Sequence, residues 1–114
     1  MMFDWNEYKK QLSGRIGEIG KISPSITRGY SEISGASAQT GKLDDKTREL
    51  IALAVAVTRQ CDGCIAVHTD AAIKYGATRE EVAEALGVAI AINAGAALVF
   101  SARVMDAYDA IAKA

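Results

Sequence analysis

The sequence is poor in aromatic residues: two Phe, one Trp and four Tyr make up 6% of its 114 residues. Its apolar content nevertheless reaches 50%, much of it alanine. Alanine suits close helix packing but gives little bulk to the core of an isolated subunit, and a chain this short buries at most roughly two-thirds of its unfolded surface. Self-association is therefore expected. Neither charge dominates, since 13 basic and 14 acidic residues are mixed along the chain for a net charge of -1. The lack of a Lys/Arg stripe argues against a nucleic-acid partner. The opening Met1-Met2-Phe3-Asp4-Trp5-Asn6-Glu7 has neither the basic nor the apolar region of an export signal, so a cytoplasmic location is expected. The most apolar stretch, Ala85 to Phe100, contains Asn93 and two glycines. It reads as buried helix surface and falls short of a membrane span. Period-two alternation of convincing length is also missing, which argues against a sheet.

What is present reads as helix. Asp4 can cap a first helix, with Glu7 completing an acidic version of the capping box. Trp5, Tyr8, Leu12, Ile16 and Ile19 then recur at helical spacing. Ser23-Pro24 predicts the start of a second helix carrying Ile26, Tyr30 and Ile33. Gly35 to Lys42, rich in Gly, Ser, Ala and Thr, is expected to be a loose connection. Asp44 or Asp45 caps a third helix, whose Leu50, Ile51, Leu53, Val55 and Val57 surround most of its circumference and predict a central position. A fourth runs from about Cys61 to Tyr75 and closes at Gly76. Thr78-Arg79-Glu80-Glu81 is a capping box for a fifth, Val82 to about Asn93. Asn93-Ala94-Gly95 is expected to break the pattern before a sixth helix with Leu98, Phe100, Val104, Met105, Tyr108 and Ile111. The expected fold is all-α, a single domain over residues 1–114 with about six helices, oligomeric.

The chemistry concentrates in Cys61-Asp62-Gly63-Cys64-Ile65-Ala66-Val67-His68. A disulfide between cysteines three apart closes too small a loop to staple a fold. With no export signal, such a pair points to catalysis or metal binding. Cys61, Cys64 and His68 fall at i, i+3 and i+7 of the fourth helix and project from one face. With Cys61 at the cap or first turn, free N–H groups and the helix dipole stabilise a thiolate. An ordinary thiol with a pKa near ~8.5 is only about 3% thiolate at neutral pH. Bringing it to about 7 requires roughly 2 kcal/mol. An exposed helix terminus contributes about 0.3–1 kcal/mol, so a second element is required. His68, the only histidine, is the proton acceptor within reach. Glu49, at the edge of an apolar run, can orient the imidazole or pass the proton on, and partial burial would raise its pKa toward a useful range.

Zinc is the competing reading, because two thiolates, an imidazole and a carboxylate are acceptable ligand types. The ligands would be strung along one helix, however, and no second Cys/His pair exists to close a structural site. No metal and no cofactor is therefore expected. Each residue alone reads as structural, since a lone CxxC, His or Glu is a weak signal. The joint spacing carries the argument.

From Leu43 to Tyr108 the chain resembles the AhpD-like alkylhydroperoxidase branch of the carboxymuconolactone decarboxylase family. The resemblance rests on Leu43-Asp44-Asp45-Lys46-Thr47-Arg48-Glu49, on the spacing Glu49-x11-Cys61-x2-Cys64-x3-His68, and on the Gly76-Ala77-Thr78 and Ala91-Ile92-Asn93-Ala94-Gly95 segments. Residues 1–42 match only in a general way. The resemblance implies an all-helical fold assembled as trimers or hexamers. It also implies reduction of a hydroperoxide by the cysteine pair, with electrons returned by a dithiol such as a lipoyl group or a thioredoxin-like partner. Cys64 would then be peroxidatic, Cys61 resolving, and Glu49 and His68 the proton relay. The helix-start argument alone favours Cys61 as nucleophile, whereas the resemblance assigns attack on peroxide to Cys64 and leaves Cys61 to meet the reductant. One departure is Gly63, where alkylhydroperoxidases of this type carry a second histidine, so the implied relay is shorter. A disulfide reductase or redox partner without peroxidase activity is the alternative. Decarboxylase members generally lack the CxxC, and that activity would leave the cysteines unused.

Overall fold

The computed structural model describes all 114 residues as five helices with no strand. Asp4 caps α1 (Trp5–Ile22) by accepting from the Glu7 N–H at 3.1 Å. Ser23 alone separates α1 from α2 (Pro24–Thr40). Its N–H closes α1 onto Ile19 O at 2.7 Å, and its side chain makes no capping bond to α2, where Pro24 needs no donor partner in the first turn. The Gly35–Lys42 segment is a correction to the sequence reading: α2 continues through it to Thr40. Its small residues permit helix as readily as loop, and the stop comes at Gly41, where φ is +69° and glycine has no Cβ penalty.

Asp44 caps α3 (Asp45–Arg59) through the Thr47 N–H at 2.8 Å. The Thr47 bonds hold the Asp44 carboxyl below the usual carboxylate range. α4 (Asp62–Lys74) and α5 (Arg79–Ala112) both pack on α3, so α3 is central as expected, with Leu53 and Ala56 buried. The capping box at Thr78 and Glu81 is complete. Lys46 ties α3 to α5 through Glu81 at 2.8 Å. That bond raises the lysine's pKa and lowers the carboxyl's.

The expected fifth and sixth helices are one. α5 runs unbroken for 34 residues, a length of about 51 Å at 1.5 Å per residue. Asn93 does not break it because its amide donates to Ala89 O at 2.7 Å and to Thr58 Oγ1 of α3 at 2.8 Å. Gly95 costs only about 1 kcal/mol of helix propensity, which a helix this long absorbs. The Ala85–Phe100 stretch, expected as buried helix surface too short for a membrane, is instead mostly exposed: by length and composition α5 could cross a bilayer, with an 18-residue stretch of mean hydropathy 2.0, 6% of it buried.

Burial is sparse. Leu53, Ala56, Ala66, Ala72 and Ala89 are the only buried residues. The chain exposes 9147 Å², against roughly 6,000 Å² for a compact monomer of this mass. Its radius of gyration is 18.9 Å, where about 13 Å is usual for this length. Exposed apolar residues occur on every helix, and two runs of them stand out. One is Ile26, Tyr30 and Ile33 on α2, and the other is the distal half of α5 from Leu98 to Ile111.

Candidate active site

The turn between α3 and α4 places the cysteines. α3 ends in the left-handed region at Gln60 (φ 54°), and the Cys61 N–H reaches back to Ala56 O at 3.1 Å, which closes the last turn of α3. Cys61 is thereby the N-cap of α4, in extended conformation, and its Sγ accepts from the Cys64 N–H at 3.2 Å. Sulfur stands where Ser or Asp usually caps a helix. The two cysteines are joined as a disulfide, with their Cα atoms 5.3 Å apart. The cap bond and the first-turn N–H groups act on Cys61, so on opening of the disulfide they stabilise negative charge on that sulfur first.

His68 lies further along α4 on the same face. Its Nδ1 is 2.7 Å from Glu49 Oε2 of α3. The side chains are 29% and 19% exposed, so the contact is half-sheltered from water. The Glu49 carboxylate accepts a hydrogen bond from the Nδ1–H, which holds the neutral ring in the tautomer with Nε2 free to accept a proton. Cys61, Cys64 and His68 line one cleft of about 490 Å³, whereas Glu49 stands behind His68, outside the lining. All four residues selected from the sequence therefore come together, three facing the cleft and the fourth backing the imidazole. No group of three or more His, Cys, Asp or Glu side chains converges to hold a metal ion.

The far walls of the cleft come from residues that carry no functional signal in their local pattern. Tyr8, Leu12 and Ile16 of α1 and Tyr30 of α2 complete it with Val67, and the polar groups on the lining are the sulfurs, the imidazole, the phenols and the Asp62 carboxylate. Their i, i+4, i+8 spacing on α1 reads as an ordinary packing stripe, which in part it is. α1 is held over α4 by Lys9, 2.9 Å from Asp70, with Lys74 completing the cluster at 3.2 Å. Lys9 first, and Lys74 after it, keep the Asp70 carboxyl below the usual carboxylate range. Gly63, between the cysteines, lies under Leu12: a Cβ added there would stand 2.7 Å from Leu12 Cδ2.

The helical fold and the capped CxxC beside a carboxylate-bound histidine define a small all-α protein with a dithiol/disulfide centre. The sequence profile of the carboxymuconolactone decarboxylase family matches residues 24–107, and the chain belongs to that family. Uncharacterised relatives include a protein from Haemophilus influenzae, 48% identical over 109 residues and 96% of each chain. Another, described as uncharacterized protein 4 in the cox locus of Paracoccus denitrificans, is 36% identical over 101 residues, 89% of this chain and 91% of the relative. Among solved structures, the apo form of a carboxymuconolactone decarboxylase family protein from Legionella pneumophila superposes with a TM-score of 0.73 at 36% identity, covering 92% and 94% of the two chains.

Proposed function

We propose that the protein is a thiol-dependent peroxidase that reduces a hydroperoxide and is recycled by a dithiol. The observation that carries this is the Cys61–Cys64 disulfide at the start of α4, in one cleft with an imidazole bonded to Glu49. In the reduced protein, Nε2 of His68 takes the Cys64 thiol proton. The Cys64 thiolate attacks the outer peroxide oxygen. The O–O bond breaks, Cys64 becomes a sulfenic acid, and the departing alkoxide receives its proton from the imidazolium. The Cys61 thiolate, steadied by the Cys64 N–H, then attacks the sulfenic sulfur. The S–S bond forms and hydroxide leaves as water. A dithiol reopens the pair by two exchanges and is itself oxidised to a disulfide. The sum is one hydroperoxide and one dithiol giving an alcohol, water and a disulfide.

The test is hydroperoxide consumption with dihydrolipoamide as donor. Wild type turns over, whereas Cys64→Ser and Cys61→Ser do not. Absence of turnover above background in the wild type would overturn the peroxidase reading. A second reading, a disulfide reductase without peroxidase activity, is favoured by Gly63, packed under Leu12, which leaves no second imidazole between the cysteines. It is distinguished by donor-dependent reduction of a protein disulfide in the absence of peroxide.

The chain is further proposed to work as a homo-oligomer, a trimer or hexamer. The excess exposed area of roughly 3,000 Å² over a compact monomer is several times the ~800 Å² that one partner buries in a standard interface. α5 is assigned to subunit contact rather than to a bilayer because Lys46–Glu81 and Asn93–Thr58 fasten its first half to α3. Sedimentation without detergent tests this, and a monomer, or a protein recovered only in detergent, would refute it.

A further inference from the structure

We propose that Leu12 determines which thiols can reach the Cys61–Cys64 disulfide. Gly63 lies inside α4 and shows no positive φ, so its backbone conformation does not require glycine. What glycine leaves is room for Leu12, whose flexible end would have to shift for any larger residue. Leu12 Cδ2 would be 2.7 Å from a Cβ at this position, the tightest such approach at any glycine in the chain. The glycines of α1 at 14 and 17 have open space where a Cβ would stand, and one at Gly20 would meet Thr27 at 3.1 Å, so the approach at Gly63 is the closer of the two tight ones. Leu12 is the middle of the three α1 residues on the cleft wall, and the Lys9–Asp70 pair fixes α1 against α4 close by.

Thiol–disulfide exchange needs the attacking thiolate to come in line with the S–S bond. The isobutyl group over Gly63 stands on the α1 wall of the cleft that holds that bond. Tyr30 of α2 and His68 of α4 line the same cleft, so a thiolate that enters it shares the space with the Leu12 side chain. The attacking thiolate forms a mixed disulfide with one cysteine and releases the other as a thiolate, which takes a proton from solvent. A second thiol completes the reduction, so two donor thiols are oxidised as two cysteines are reduced. Donors bulky near sulfur are slowed in the first attack, and compact donors are not. The inference rests on the pair being reduced by an external thiol, but it does not need peroxide as the oxidant.

The experiment starts from the purified protein with its disulfide formed and uses 2-mercaptoethanol and glutathione as probes. The first free protein thiol is trapped with a maleimide and counted by mass, and the ratio of the two rate constants is the readout. Leu and Ala are both uncharged, so intrinsic thiol reactivity and donor charge cancel when this ratio is compared between proteins. Leu12→Ala is expected to raise the glutathione-to-mercaptoethanol ratio at least threefold, and Leu12→Phe to lower it. Gly63→Ala, which forces Leu12 outward into the cleft, is expected to lower the ratio in the wild-type background and to leave it unchanged with Leu12→Ala. Equal acceleration of both thiols in Leu12→Ala, or a Gly63→Ala effect that persists without Leu12, overturns the proposal. Because these rates involve no peroxide, loss of peroxidase activity in the wild type would leave this result standing.

Discussion

Replacing Glu49 by Gln isolates what the carboxylate does for His68. The amide keeps the shape and the 2.7 Å reach of the contact but removes its charge. A neutral hydrogen bond contributes about 0.5–1.5 kcal/mol and one to a charged group about 1.5–3 kcal/mol, a difference of roughly 1–2 kcal/mol. The transition state for thiol deprotonation develops positive charge on the imidazole, so the loss falls on the barrier. A barrier higher by that amount slows the step about 5- to 30-fold. Both side chains are less than a third exposed, so solvent screens the pair only in part. The assay is single-turnover oxidation of reduced protein by excess hydroperoxide, followed as loss of titratable thiol. His68→Gln should be slower still, and the Glu49→Gln/His68→Gln double variant no slower than His68→Gln, since the carboxylate acts only through the ring. A Glu49→Gln rate within twofold of wild type, or additive losses in the double variant, would refute the relay.

Charged substitutions on the distal half of α5, such as Phe100→Asp with Val104→Asp, are expected to dissociate the assembly, read by sedimentation, while leaving far-UV helicity in place; an unchanged sedimentation coefficient counts against that face. Thr78→Ala removes the Glu81 N–H acceptor of the capping box and is expected to lower stability by about 1 kcal/mol in urea titration. Asp44, Asp70 and Glu81 all have carboxyl pKa values depressed in the folded state. Their contribution is therefore complete above the unfolded carboxylate values and is lost as pH falls through the lower folded ones. The urea midpoint should drop as pH is taken from 5 toward 3, and Asp70→Asn should flatten part of that drop. Lys46, raised by Glu81, works in the opposite direction, with its contribution present below the unfolded lysine value and lost as pH rises through the folded one.

Much of the fold was legible because its signals are local. Asp4, Asp44 and Thr78 cap the helices they announce, and each needs only the three residues after it. The joint spacing of Glu49, Cys61, Cys64 and His68 brought those four residues together because α3 and α4 are joined by two residues and pack along one another. The misreadings share one physical origin. Small and polar residues at 35–42 and 93–95 suggest breaks, but most of them permit a helix, and α2 stops only at the positive φ of Gly41. Asn93 illustrates this: its amide finds Thr58 on another helix, a partner no local pattern reveals. The cleft wall from Tyr8, Leu12, Ile16 and Tyr30 was illegible for the same reason, since a stripe that packs and a stripe that lines a site have the same period.

The N-cap of α4 is an atom of the bond that the proposed cycle makes and breaks. A thiolate is a stronger acceptor than a disulfide sulfur, so the first turn of the helix and the reduction potential of the pair are thermodynamically linked. Whatever tightens that turn around an anionic sulfur makes the dithiol form easier to reach by the same free energy, and whatever frays it makes the protein a weaker oxidant. The potential of this centre can thus be tuned from residues that never touch sulfur, by way of the backbone amides at the mouth of a helix.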